Sequence, residues 1–259
     1  MAAITLPVYP GVALRNGAFG VDVALIQTEL TAFGFTATVD GIYGSGTSKA
    51  VVAYQATRGL SADGVVGKGT WDRLINEYAQ KFTTTPVPYP GIVMRTGALG
   101  SCVKWFQTSQ NGLRKPYTAQ PQLAGDGVHG SGSTRAARLF QRQFGLSIDG
   151  QIGRNTWQMF SQVLMCAANG VYTKVMPAYP GTALKLGSSG DAVRCVQSYL
   201  GAVKVARGLN YPTPVIDGRF GSVTRSAVIG FQAAFGLTTD GIVGPTTWQR
   251  LVSEFNLTL

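Results

Sequence analysis

The sequence predicts a mainly α-helical protein of three small tandem three-helix domains, and three observations predict it. The stretch DGRFGSVTRSAVIGFQAAFGLTTDGIVGPTTWQRL at 217–251 recurs without a gap at 40–74 and at 126–160. Inside each copy an Asp-Gly, a Gln, a second Asp-Gly and a Trp keep the same spacing: Asp40, Gln55, Asp63 and Trp71, then Asp126, Gln141, Asp149 and Trp157, then Asp217, Gln232, Asp240 and Trp248. Apolar residues between these marks fall at helical spacing. The copies lie roughly 80 to 90 residues apart, too far for one turn of a solenoid, so each is read as a domain of its own. The boundaries expected are 7–80, 87–167 and 177–259.

Each copy opens on Tyr-Pro-Gly, at Tyr9, Tyr89 and Tyr179, with linkers of turn or extended composition expected just upstream at 83–87 and 169–176. A Gly-x-x-Gly pair then leads into a first helix. Val23, Ile26 and Leu30 in the first copy, and Val193, Val196 and Leu200 in the third, follow the i, i+3, i+7 stripe. The second copy departs from it at Gln110, which predicts a first helix that ends early or shifts register. The segment that follows differs in length between copies (31–39, 111–125, 201–216) and is expected to be a surface loop.

The Asp-Gly-x-aromatic-Gly motif comes next, with Tyr43, His129 and Phe220 in the aromatic slot. The carboxylate accepts nearby backbone N–H groups and Gly supplies a positive φ, so a turn is predicted. Ser45, Ser131 and Ser222 are expected to cap a second helix. That helix is expected to stop at Gly59, Gly145 and Gly236, each followed by Leu in the Schellman pattern. A Gly244-Pro245 pair suits N-cap and N1 of a third helix, whose Trp71, Trp157 and Trp248 share a core face with Leu74, Phe160 and Leu251.

The chain carries 22 basic against 12 acidic residues, a net charge of +10. The excess is spread along all three copies and favours a polyanion or anionic surface, such as wall polymers or nucleic acid. No stacking or major-groove motif accompanies it, which disfavours nucleic acid. No window reaches the roughly 18 apolar residues of a membrane span. The start of the chain lacks a basic n-region and an apolar run, so no secretory signal peptide is expected in this sequence, and action outside a cell would imply export by another route, release by lysis, or a leader that this sequence does not include. Cys102, Cys166 and Cys195 occupy unrelated repeat positions, which excludes a repeated disulfide, and Cys195 reads as a small buried thiol.

The reactive inventory argues against an enzyme. Six of the twelve carboxylates are the Asp of the repeated Asp-Gly turns, whereas a glycosidase needs a facing pair across a cleft. A zinc amidase needs several ligands, and the chain has one His. His129-Gly130-Ser131 is a weak short motif, since His129 aligns with Tyr43 and Phe220. A Cys102–His129 pair would have to meet in space to act as nucleophile and base. No catalytic residue, metal or cofactor is predicted.

The pattern Gly-x-x-Gly-x-x-Val-x-x-x-Gln, then Asp-Gly-x-aromatic-Gly-x-x-Thr-x-x-Ala-Val-x-x-aromatic-Gln, then Gly-Leu-x-x-Asp-Gly-x-x-Gly-x-x-Thr-Trp-x-x-Leu resembles the peptidoglycan-binding domain family of type 1. The third copy carries it most fully, through Asp217, Phe220, Thr224, Ala227, Phe231, Gln232, Gly236, Leu237, Asp240, Thr247 and Trp248. The second departs most, through His129, Ala137 and its first helix. The resemblance implies an orthogonal three-helix domain that binds the bacterial wall, at the cell wall or outside the cell.

Wall strands offer sugars and peptide carboxylates, which exposed aromatic faces, turn N–H groups and basic side chains would meet. The expected groove therefore runs along the first Asp-Gly turn and the following helix start, edged by Asp40, Tyr43 and Gln55, by Asp126, His129 and Gln141, and by Asp217, Phe220 and Gln232. The competing reading makes the same residues turn formers and core. Three weak sites on one chain would gain avidity on a repetitive polymer. Peptidoglycan is the expected partner, with anionic wall polymers and a separate wall hydrolase beside it. Two other readings stay open: a structural component of a phage particle or secretion machine that uses the repeats for protein packing, and a cryptic wall hydrolase.

Overall fold

A computed structural model of the chain describes residues 5–83, 87–115 and 117–259. Residues 1–4, at the start read for a leader, and 84–86 of the first linker lie outside the described residues. Nine helices are present among the described residues, three per repeat. They are α1 (Val21–Ala32), α2 (Ser45–Thr57) and α3 (Lys68–Lys81), α4 (Ser101–Gly112), α5 (Ser131–Gln143) and α6 (Arg154–Ala168), and α7 (Asp191–Arg207), α8 (Ser222–Ala234) and α9 (Pro245–Asn256). Among the described residues strand pairing is limited to isolated antiparallel bridges, two per repeat: Leu14 with Val66 and Phe19 with Ile42, Met94 with Ile152 and Leu99 with Val128, Leu184 with Val243 and Ser189 with Arg219.

Contacts group the residues into two compact units that do not coincide with the repeats. The first holds the chain up to Gly112 together with Gln122–Arg138 and Asp149–Gly170; the second holds Leu113–Pro121, Leu139–Ile148 and Val171–Leu259. In the first unit Trp71 and Trp157 are buried at the centres of their repeats, and their indole N–H groups donate to the carbonyls of Pro7 and Val87 at 3.2 Å. That bond ties the start of each repeat to its last helix. Asp22 of α1, buried itself, accepts from the Ser101 N–H at 2.7 Å and the Cys102 N–H at 3.3 Å, and so occupies the N-terminal donors of α4. Its repeat counterparts are Cys102 and Ala192, so no other copy can do this.

In the second unit Trp248 donates to the Pro177 carbonyl at 3.0 Å, the same anchor a third time. Tyr199 stacks on Phe255 with centroids 4.3 Å apart, and Tyr117, whose hydroxyl donates to the Thr173 carbonyl, meets the edge of Phe144.

Helix ends follow the predicted chemistry in part. Gly59, Gly145 and Gly236 stand at φ between 65° and 68°, and the N–H groups of Leu60, Leu146 and Leu237 reach back to the Gln55, Gln141 and Gln232 carbonyls at 2.8–3.0 Å, which is the Schellman bond. Gly244 caps α9 with Pro245 behind it, as expected. Ser45 and Ser222 do not cap. The N-caps of α2 and α8 are Gly44 and Gly221, in extended backbone and without a side-chain bond, and each serine is the first helical residue. Ser131 likewise opens α5.

Two other expectations are corrected. α4 neither ends early nor slips: it is 12 residues long like α1, and Gln110 is buried in line with the apolar stripe rather than breaking it. The variable segment is not a plain surface loop. In the third repeat its first seven residues extend α7 to Arg207, and Tyr211 is buried with its hydroxyl on the Leu200 carbonyl at 2.9 Å. In the second, Leu113, Tyr117 and Leu123 are buried.

Candidate functional site

Every repeat is organised by a glutamine clasp, which the first and third repeats show twice. Gln27 on α1 donates from Nε2 to the Asp40 carboxylate (3.0 Å), the Ile42 carbonyl (2.9 Å) and the Thr47 hydroxyl (2.9 Å), while its Oε1 accepts from the Gly41 N–H (2.9 Å). Gln55 on α2 does the same to the next turn, with Asp63, Val65, Thr70 and Gly64 at 2.9–3.1 Å. Gln107 holds Asp126, Val128, Ser133 and Gly127; Gln197 holds Asp217, Arg219, Thr224 and Gly218; Gln232 holds Asp240, Ile242, Thr247 and Gly241. A buried carboxamide has two donor hydrogens and one oxygen, and here all are used.

The Asp of each of the six Asp-Gly turns also accepts from the N–H two residues on, at 2.8–2.9 Å, from Ile42, Val65, Val128, Gln151, Arg219 and Ile242. That backbone bond, then the Gln amide, holds the carboxyls of Asp40, Asp63, Asp126, Asp217 and Asp240 below their ordinary range. The turn prediction was therefore sound, and its glutamine partner in the first helix was the part missed. Gln27, Gln107 and Gln197 sat in the quoted motif, at a spacing too long for local turn chemistry to flag.

Of the nine candidate ligand residues, six are withdrawn from solvent. Tyr43, His129 and Phe220 are buried, and so are Gln55, Gln141 and Gln232. The expected exposed aromatic faces are absent at these positions because the slot points into the core: the Tyr43 hydroxyl donates to the Gly64 carbonyl at 2.8 Å. His129 fills the same slot, where burial pushes its imidazole pKa down against the opposing pull of the Gly150 carbonyl. Asp40, Asp126 and Asp217 remain at the surface. Beside the buried slots the exposed residues are apolar in the first two repeats, Phe19 with Ile42 and Leu99 with Val128, and polar in the third, Ser189 with Arg219.

A groove lies elsewhere, between the Tyr-Pro-Gly segment and the last helix, and it appears at equivalent positions in two repeats. In the first it is about 380 Å³, lined by Tyr9, Lys68, Asp72, Ile75 and Asn76 among others. In the second it is about 580 Å³, lined by Tyr89, Arg154, Gln158, Ser161 and Gln162, with Thr28 and Tyr78 also in its wall. Sequence reading noted the Tyr-Pro-Gly but had no sign that it faces the third helix, some 60 residues on.

Three segments of the chain, 19–74, 106–160 and 189–251, match the model of the peptidoglycan binding domain family. Among curated proteins, the chain is 31% identical over 163 residues to a Bacillus licheniformis protein named "Probable N-acetylmuramoyl-L-alanine amidase", covering 63% of this chain and 45% of that one. It is 43% identical over 89 residues to the zinc D-Ala-D-Ala carboxypeptidase of Streptomyces albus G, covering 33% and 29%. The chain thus spans less than half the length of either relative. Among solved structures, the SleB N-terminal domain matches at 36% identity over 30% of this chain and 99% of that one, with a TM-score of 0.26. With three matched segments spanning most of its length, the chain belongs to the peptidoglycan binding domain family.

Proposed function

We propose that this chain is a non-catalytic wall-binding protein or targeting module, acting at the cell wall or outside the cell through three tandem weak sites, with 7–80, 87–167 and 177–259 as its functional units. The observation that carries the reading is the threefold family match. The relatives named as wall-cleaving enzymes are more than twice as long as the part this chain covers, which leaves room in them for separate catalytic domains. In this reading the six buried residues at the first Asp-Gly turn and on the second helix are scaffold, and ligand contact there falls to Asp40, Asp126 and Asp217 and their exposed neighbours. Anionic wall polymers and a separate wall hydrolase are the further partners it implies.

Cosedimentation of the full chain with purified sacculi tests the reading, and a chain left in the supernatant at low salt ends it. Avidity is tested with the same chain by comparing intact sacculi with short soluble muropeptides, which engage one unit at a time. Binding to sacculi is expected to be at least about 100-fold tighter; equal affinity rules avidity out. A zymogram is expected to show no clearing, and a cleared zone would make the chain a hydrolase.

A second reading, protein packing within a larger assembly, has one observation in its favour. Phe19 is 84% exposed and Leu99 61%, each beside an exposed apolar bridge partner. Such pairs are docking features when they are contiguous. Phe19→Ser with Leu99→Ser is expected to leave sacculus binding intact under the first reading and to abolish assembly under the second.

A further inference from the structure

We propose that the groove between the Tyr89 segment and α6 is a binding site for a carboxylate-bearing peptide of the wall, with Arg154 holding the carboxylate; this rests on the wall-binding reading above. The groove is about 580 Å³, within the range of small-ligand sites. Arg154 is exposed at its mouth, with its guanidinium carbon 5.1 Å from the centroid of the Tyr89 ring. It makes no ion pair among the described residues. A guanidinium stacked on an aromatic face keeps its planar fork of donors free at the edge, and that fork matches a carboxylate with two parallel bonds.

A second polar group points the same way. Ser161 lines the groove and is buried, yet its hydroxyl has no hydrogen-bond partner among the described residues. A buried hydroxyl without a partner costs free energy that a ligand amide or carbonyl would recover. Gln158 and Gln162, one turn apart on the exposed side of α6, offer further amide donors and acceptors, and the Tyr89 ring offers an apolar face for a methyl group or a sugar ring.

The first repeat has the same groove but not the same chemistry. Lys68 stands where Arg154 does, and Asp72 stands where Gln158 does, so the lysine is paired with its own i+4 carboxylate. In the third repeat Pro245 occupies the position and supplies no cation there. The copy that departs most from the family pattern is thus the one with an unneutralised arginine beside a half-buried tyrosine and an unsatisfied serine. Its departures at His129 and Gln110 lie in the core and leave this face intact.

The test uses the full chain and purified sacculi in four arms. Arg154→Gln is expected to weaken binding about tenfold, as loss of a charge-assisted pair does, and Lys68→Gln to change it less than twofold. Wild-type chain on sacculi whose carboxylates have been amidated with carbodiimide and ammonia is expected to fall to the level of Arg154→Gln. Sacculi stripped of phosphate polymers with hydrofluoric acid are expected to bind as before. Undiminished binding by Arg154→Gln overturns the site while leaving wall binding in place, and failure of the wild type to bind overturns the wall reading itself. Equal losses from Lys68→Gln and Arg154→Gln would mean general charge attraction and overturn the site, and a loss confined to phosphate-stripped sacculi would overturn the carboxylate.

Discussion

The glutamine clasp and the segment that precedes it are neighbours in every repeat, and they have been treated oppositely. The clasp holds its bond lengths within a few tenths of an ångström wherever its partners are seen, in five settings on three repeats. The segment between the first helix and the first Asp-Gly is a short turn in one copy, a buried-tyrosine excursion in another and an extended helix in the third. The difference teaches where the fold's constraint lies. A single carboxamide that satisfies four groups fixes a turn against a helix whatever length of chain joins them, because loop length costs little once the ends are held.

The sharpest way to break that comparison is to remove a clasp. Gln197→Leu leaves the Gly218 N–H, the Arg219 carbonyl and the Thr224 hydroxyl without their buried partner. A loss of about 3–4 kcal/mol is expected, read as a fall in the urea midpoint, since each buried group left unsatisfied costs about 1–3 kcal/mol and the effects overlap. A loss below about 1 kcal/mol would mean the clasp merely decorates a turn that Asp-Gly already makes.

The variable segment is expected to be sensitive only where it has grown an anchor. A Cβ built on Gly230 would lie 2.5 Å from the Tyr211 Cβ, too close for any side chain. The other repeats carry Ala53 and Leu139 at the Gly230 position, and the buried tyrosine of the second repeat's segment, Tyr117, packs on Phe144 instead, so the glycine answers Tyr211. Gly230→Ala is expected to cost about 2 kcal/mol by overpacking, and Tyr211→Gly in the same chain, which removes the clashing Cβ, to relieve part of it. Additive losses in the double variant would separate the two residues.

These contrasts also mark what was legible in the sequence. The Asp-Gly turns, the Schellman glycines and the Trp positions are local chemistry, and the repeat printed each of them three times. Ser45 was misread as a cap because the glycine before it already enters the helix in extended backbone and needs no side chain. Gln110 was expected to end or shift its helix because periodicity counts a polar residue in the apolar stripe as an error, whereas the residue is buried in line with that stripe and the helix runs on to Gly112. Tyr43, His129 and Phe220 were expected at the groove because exposed rings beside turn N–H groups suit wall sugars, and only packing reveals that those rings face inward. Arg154 and Lys68 share a repeat position and could have been aligned, but nothing local says that Tyr89 lies against α6.

His129 gives a smaller effect with a defined sign. Burial lowers the folded-state pKa of its imidazole below the ordinary 6.5, so the folded protein binds fewer protons than the unfolded chain. Its share of stability is present above about pH 6.5 and is lost as the pH falls from there through the lower folded value. His129→Phe, which copies the third repeat, is expected to change stability at pH 8 by less than about 1 kcal/mol and to flatten the decline between pH 6.5 and 5. Parallel pH profiles for the two proteins would show that the imidazole does not titrate in the slot.

A change of similar size but opposite sign, a gain, is expected at Glu29 of α1. Its counterparts are Ser109 and Tyr199, so no repeat rule placed a carboxylate there, and both its oxygens are buried without a hydrogen-bond partner among the described residues. Desolvation raises its pKa well above the ordinary 4.5, and its influence extends to the nearby Tyr78 hydroxyl and Cys102 thiol, both of which burial also pushes up. A raised folded pKa means that the folded state holds the proton more tightly than the unfolded chain, so this residue's contribution is complete below about pH 4.5 and shrinks as the pH rises towards the folded value. Glu29→Gln keeps the shape and removes the ionisable group. The melting temperature is expected to rise by about 2–4 °C at pH 8 and to be unchanged at pH 4, the reverse of the slope at His129. A variant less stable than wild type at both values would show that the carboxyl is satisfied by buried water and belongs to the fold as much as the clasp does.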